Sequence, residues 1–159
     1  MGVVIADYNT KKGEHEMDDI YNEEVYPITI HTAGYFGCYF HNVLDTKEEP
    51  FPEGCNSFLE YWEKNSGQPT PVECQAKCAH QNADGTDADK KDLVGAHVRI
   101  DGVSCPDDWA WIVPLCKHCN GGDHTWRMEL PAGTTFVPIK MSKARPTAQN
   151  QIDVYLYSR

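Results

Sequence analysis

Apolar positions in this chain come in short blocks separated by polar and turn-forming runs, a pattern that predicts strands more often than helices. VVIADY at residues 3–8 reads as a short strand, and residues 9–24 as a polar, acidic loop. YPITIHTAGYFGCYFHNV, from Tyr26 to Val43, is aromatic and β-branched and is punctuated by Gly34 and Gly37, which predicts a pair of strands. DTKEEPFPEG, residues 45–54, is acidic and proline-bearing and reads as a linker. NSFLEYWEKNSG is the clearest helix. Ser57 and Glu60 have capping-box spacing, Phe58, Leu59 and Trp62 make an apolar face, and Gly67 supplies the stop.

From Gln68 the chain is turn-rich and then acidic. LVGAHVRI (93–100) and WIVPLC (111–116) read as strands around a DGVSCPDDWA loop. KHCNGGDHTWRMEL reads as the start of a short helix weakened by Gly121 and Gly122, and TTFVPIK (134–140) as a further strand. Ile152, Val154 and Leu156 alternate with other residues, predicting a terminal strand that pairs with the N-terminal one. The expected fold is α+β: a small β-sheet with one or two short helices around a central four-cysteine module. The expected divisions are 1–54, strands and acidic linker; 55–140, helix plus cysteine module; and 141–159, the C-terminal strand.

Composition narrows the class. Of 159 residues, 40% are hydrophobic and 24% charged, as in a globular protein. Twenty-four acids against 14 bases leave a formal charge of −10, which disfavours direct nucleic-acid binding because phosphate contacts need a basic face. The C-terminal third, with Lys140, Lys143, Arg145 and Arg159, is the least acidic part. No apolar run approaches the ~20 residues of a membrane span, and the chain opens without a basic, apolar leader, so a cytoplasmic location is expected.

Seven cysteines stand at 38, 55, 74, 78, 105, 116 and 119. An odd count without a secretion signal argues against a disulfide framework. Cys74-x3-Cys78 and Cys116-x2-Cys119 instead have the spacing of a zinc site, each pair chelating from a tight turn. Four thiolates close the tetrahedron and leave no position for water, so such a site is structural. Cys105 and His80 are alternative ligands, and His118, between the second pair, is expected in solvent. His31, Cys38 and His41 read as packing or surface residues. A redox role for the C-x2-C pair is the weaker reading, because a second pair stands nearby.

The order of a Cys pair, a strand bearing His97, a loop, a strand and Leu115-Cys116-x2-Cys119-Asn120 resembles the zinc-containing HNH nucleases, whose ββα-metal core is related to the treble clef. The resemblance spans roughly Cys74 to His124. It implies structural zinc on Cys74, Cys78, Cys116 and Cys119, His97 as general base, and Asn120 with His124 as helix ligands to a catalytic Mg or Mn ion. The chain departs from the pattern at Ala96, where the family has Asp or His to hold that ion; Asp101, Asp107, Asp108 and Asp123 are possible substitutes that the sequence does not place. The wording GAHV…IVPLC-x2-CN is also similar to small bacterial and phage proteins without a settled activity.

Two functional accounts follow. In the first, the chain is a non-catalytic, zinc-stabilised binding protein whose acidic surface meets a protein partner. Its specific form is a phage-type inhibitor of a basic host nucleic-acid enzyme or defence protein. Trp109 and Trp111, on one face of a strand, are candidate core and contact residues, and His97 orients the metal site by a hydrogen bond to a thiolate or carbonyl. In the alternative, the chain is a divergent HNH-type nuclease using His97 as base.

Overall fold

A computed structural model describes residues 3–8, 28–32, 38–69, 71, 74–76, 93–121, 128–130 and 133–148. The elements are β1 (Val3–Tyr8), β2 (Ile28–Thr32), β3 (Cys38–Asn42), α1 (Phe58–Ser66), β4 (Leu93–Ile100), β5 (Trp109–Cys116), β6 (Met128–Leu130) and β7 (Thr135–Lys140). The seven strands form one sheet in the order β1-β2-β7-β5-β4-β3-β6, and every neighbouring pair is antiparallel. The architecture is thus a small antiparallel sheet with a single described helix, of α+β type. No helix among the described residues is long and apolar enough to cross a membrane.

Strand alternation divides the core into two. Ala96, Val98 and Ile100 of β4 share one face with Trp111, Val113 and Leu115 of β5, and Phe40, Phe136 and Met128 complete that cluster. On the other face, Ala110 and Ile112 of β5 meet Val137 and Ile139 of β7 beneath α1. β4 and β5 are thus covered on both sides, which explains why LVGAHVRI and WAWIVPLC are nearly unbroken apolar runs.

The helix forms where its signals predict. Ser57 accepts from the Glu60 N–H at 3.0 Å, the Glu60 carboxylate reaches back to the Asn56 N–H at 2.7 Å, and Gly67 closes the helix at φ 67°. Its inward residues are Phe58, Tyr61 and Trp62, while Leu59 is only half-buried. The two large rings are also hydrogen-bonded: the Tyr61 hydroxyl donates to the Pro138 carbonyl at 2.7 Å and the Trp62 indole to the Thr135 carbonyl at 3.0 Å. Burying such rings removes ~200 Å² each from water, roughly 5 kcal/mol before ordering costs.

Two prolines lie in interior strands, where a missing N–H is costly. Each sits past the end of a pairing. Pro114 lies beyond the β5–β7 register, and its carbonyl accepts the Gln75 N–H at 3.0 Å. Pro138 lies beyond the β2–β7 register, where its carbonyl serves Tyr61.

Two expectations meet a different outcome. Residues 45–54, read as a linker, are tied to the chain's later segment. Buried Glu49 accepts from the Ser142 hydroxyl and backbone N–H and pairs with buried Arg145 at 3.1 Å. Burial alone would raise the Glu49 carboxyl, but the Ser142 hydrogen bonds and the Arg145 guanidinium hold it below the usual carboxylate range. Arg145 also donates to the Asp45 carbonyl, and Val43 bridges to Thr147. The run expected to begin a helix after Cys116 makes a turn at 117–120 and ends in strand β6, which closes the sheet edge against β3. The terminal strand expected around Ile152–Leu156 lies outside the described residues.

Gly95 explains how α1 approaches β4. A Cβ at this position would stand 2.3 Å from the Phe58 carbonyl carbon and 2.5 Å from the Leu59 nitrogen. Both are backbone atoms that cannot swing aside. Gly95→Ala should therefore lift the start of α1 and cost about 2 kcal/mol or more, read as a lower urea midpoint.

Candidate metal centre and adjoining cavity

Three of the four cysteines expected to bind metal converge. The sulfurs of Cys74, Cys116 and Cys119 lie within 4.8 Å of one another, Cys116 and Cys119 buried and Cys74 half-buried. The turn after β5 builds the site. The Cys119 N–H points at the Cys116 sulfur at 3.4 Å, and the Asn120 N–H bonds the Cys116 carbonyl at 3.1 Å. Cys74 is delivered by its own neighbour, because the Gln75–Pro114 hydrogen bond docks residues 74–76 along the end of β5. The Cys119 thiol, donating to Cys74, lowers the Cys74 thiol below its usual range; burial opposes this, and the backbone of Cys116 and Ala76 assists.

This donor set fits a thiophilic ion. Zn–S bonds of about 2.3 Å place tetrahedral sulfurs about 3.8 Å apart, compatible with the observed spread. Cys78, the expected fourth ligand, and His80 lie outside the described residues. Cys105 does not join the group; its sulfur points to the Trp109 carbonyl at 3.3 Å. His118 is exposed, as expected of a residue at the tip of the turn.

His97 is placed differently from the role expected of it beside the metal. It pairs with Ile112 on the α1 face of the sheet, whereas the thiols belong to the opposite cluster. Its imidazole stacks edge-on against Phe58, ring centres 4.4 Å apart, and Phe58 in turn meets Phe51 at 5.2 Å. His97 is 4% exposed, and its Nε2 has no hydrogen-bond partner among the described residues. Burial drives the imidazole down to about 4, the Glu49 charge opposing and Arg145 adding, so the ring is neutral at pH 7.

A cavity of about 810 Å³ opens beside this ring. Its wall includes His97, Asn120, Phe58 and Gly95, and its rim residues 44–48 and Phe51, of which Asp45, Lys47, Glu48 and Phe51 are exposed. His97 and Asn120, the two residues matched to nuclease roles, therefore share one cavity. His124 lies outside the described residues. Of the acids weighed as substitutes for a ligand at position 96, Asp101, which bonds His41 at 2.8 Å, Asp107 and Asp108 do not line this cavity, and Asp123 is outside the described residues. Among the described residues the three thiols are the one convergent group of three or more His, Cys, Asp or Glu donors. The carboxylates of the rim do not gather around His97.

The thiol cluster and the cavity are linked through the backbone. The Asn42 side-chain amide donates to the Cys119 carbonyl at 2.7 Å, and Asn42, Asn120 and Gly121 all line the cavity. Asp45, Glu48 and Phe51 escaped the sequence reading because nothing within 45–54 signals that this segment folds back over β4 and α1.

The unfolded His97 takes a proton near 6.5 and the folded one only near 4. Stability is thus lost as pH falls through this window, by up to about 3 kcal/mol from this ring. Urea midpoints measured from pH 7 to 4 should fall more steeply for the natural chain than for His97→Leu. Comparison with known protein families, with curated proteins and with solved structures found no match to this chain.

Proposed function

We propose that this chain is a non-catalytic binding protein, stiffened by a structural zinc ion, whose acidic surface meets a basic protein partner. The observation that carries the reading is the convergence of Cys74, Cys116 and Cys119 at the open end of the β4–β5 hairpin. Cys78 would complete a four-sulfur shell. Bound there, zinc supplies folding energy and no reactive water. The formal charge of −10 supports a cationic partner over nucleic acid. A phage-type inhibitor that occupies the basic groove of a host nucleic-acid enzyme or defence protein is the specific form this reading takes.

A second reading, a divergent HNH-type nuclease with a Mg or Mn ion, draws on His97 and Asn120 lining one cavity. Three observations weigh against it. The ring is almost wholly buried and titrates far below the neutral range in which a general base works best. The neighbouring position is Ala96, buried in the opposite core. The nearby carboxylates do not converge on it.

Elemental analysis of the purified chain should find about one zinc per molecule and no second site filled by Mg or Mn. Supercoiled plasmid incubated with either ion should stay intact. Replacing His97 with Ala should lower the urea midpoint and change nothing on the gel. Reproducible nicking that disappears in His97→Ala would replace this reading with the nuclease.

A further inference from the structure

We infer that the cavity beside His97 receives an arginine side chain of the basic partner. The inference rests on the binding-protein reading and adds the site and the chemistry of recognition. A volume of about 810 Å³ exceeds a single side chain and lies in the range of ligand-sized sites. It accommodates the side chain together with the segment that carries it.

The lining favours a guanidinium over other groups. Arginine brings donors and no acceptor, so its site must offer acceptors. Asp45 and Glu48 offer two carboxylates at the rim, against the single ammonium of Lys47. The Asn120 side chain offers an amide oxygen. Deeper in the wall, the almost wholly buried His97 ring adds an uncharged surface, its Nε2 closed off from solvent.

The apolar part of the lining suits the rest of the side chain. Phe51 is 56% exposed, the large hydrophobic residue left in solvent among those described, and it stands on the cavity rim against Phe58. A planar guanidinium stacks on such a ring and its methylene stem packs beside it. An anion would meet the same two carboxylates. The first turn of α1 also lines the cavity, but Ser57 already caps it and it carries Glu60.

The test is titration of the metal-loaded, isotope-labelled full chain with Nα-acetylarginine amide, its uncharged isostere Nα-acetylcitrulline amide, and Nα-acetylglutamate amide. Backbone amide shifts are read by NMR. The arginine probe should give saturable shifts at Gly95, Gly121 and Phe58, and the citrulline probe should bind about tenfold more weakly. Glu48→Gln and Phe51→Ala, both exposed positions, should each weaken the arginine probe about threefold while leaving the rest of the spectrum in place. Equal binding of citrulline, preference for glutamate, shifts confined to other surfaces, or no shift would overturn the inference. A folded, zinc-loaded chain that ignores arginine removes this inference alone, whereas a chain that folds without metal removes the reading beneath it.

Discussion

The meeting of three sulfur atoms at the end of β5 is the constraint on which the rest of this molecule turns. Cys116 and Cys119 come from one tight turn, but Cys74 precedes the β4–β5 hairpin in the chain and must be brought to it. The Gln75–Pro114 hydrogen bond makes the approach, and a proline at that position leaves its carbonyl to serve a segment outside the sheet. Buried thiolates packed this closely repel one another unless a cation lies among them. In the proposed reading zinc is that cation, and it locks the entry and exit of the hairpin together.

From there the consequences pass through the backbone to the opposite side of the sheet. The Cys119 carbonyl anchors Asn42, and Asn42 with Asn120 and Gly121 forms part of the cavity wall. The facing wall is set by a different device, the contact of Phe58 and Leu59 with Gly95. The Glu49–Arg145 pair closes the rim by holding the 44–51 segment against the chain near Ser142. Such a buried pair adds little net stability, but breaking it is costly, so it specifies one position for the loop. The proposed metal thus keeps the shape of a cavity whose chemistry it does not enter.

Much of the framework was legible in the sequence because it is written in local signals. Ser57, Glu60 and Gly67 mark both ends of α1, and the apolar runs at 93–100 and 111–116 mark the hairpin. The cysteine pairs announced a cluster, and three of the four thiols meet. What was not legible depends on contacts between distant residues. The strand that carries His97 stands next to the cysteine turn in the sequence, which suggests a place beside the thiols, but strand alternation points the ring to the other face. The 45–54 segment has a linker's composition, and the partners that hold buried Glu49, Ser142 and Arg145, stand 93 and 96 positions away. Strand β6 is three residues long and exists because β3 offers an open edge. The HNH resemblance drew on the order of residues, and that order does not specify which donors converge.

X-ray absorption at the zinc edge of the purified chain tests the central claim most directly. The account predicts a bound ion whose first shell is sulfur at about 2.3 Å, contributed by four thiolates. A shell made mainly of nitrogen and oxygen, or a chain that holds its fold with no metal present, would contradict it.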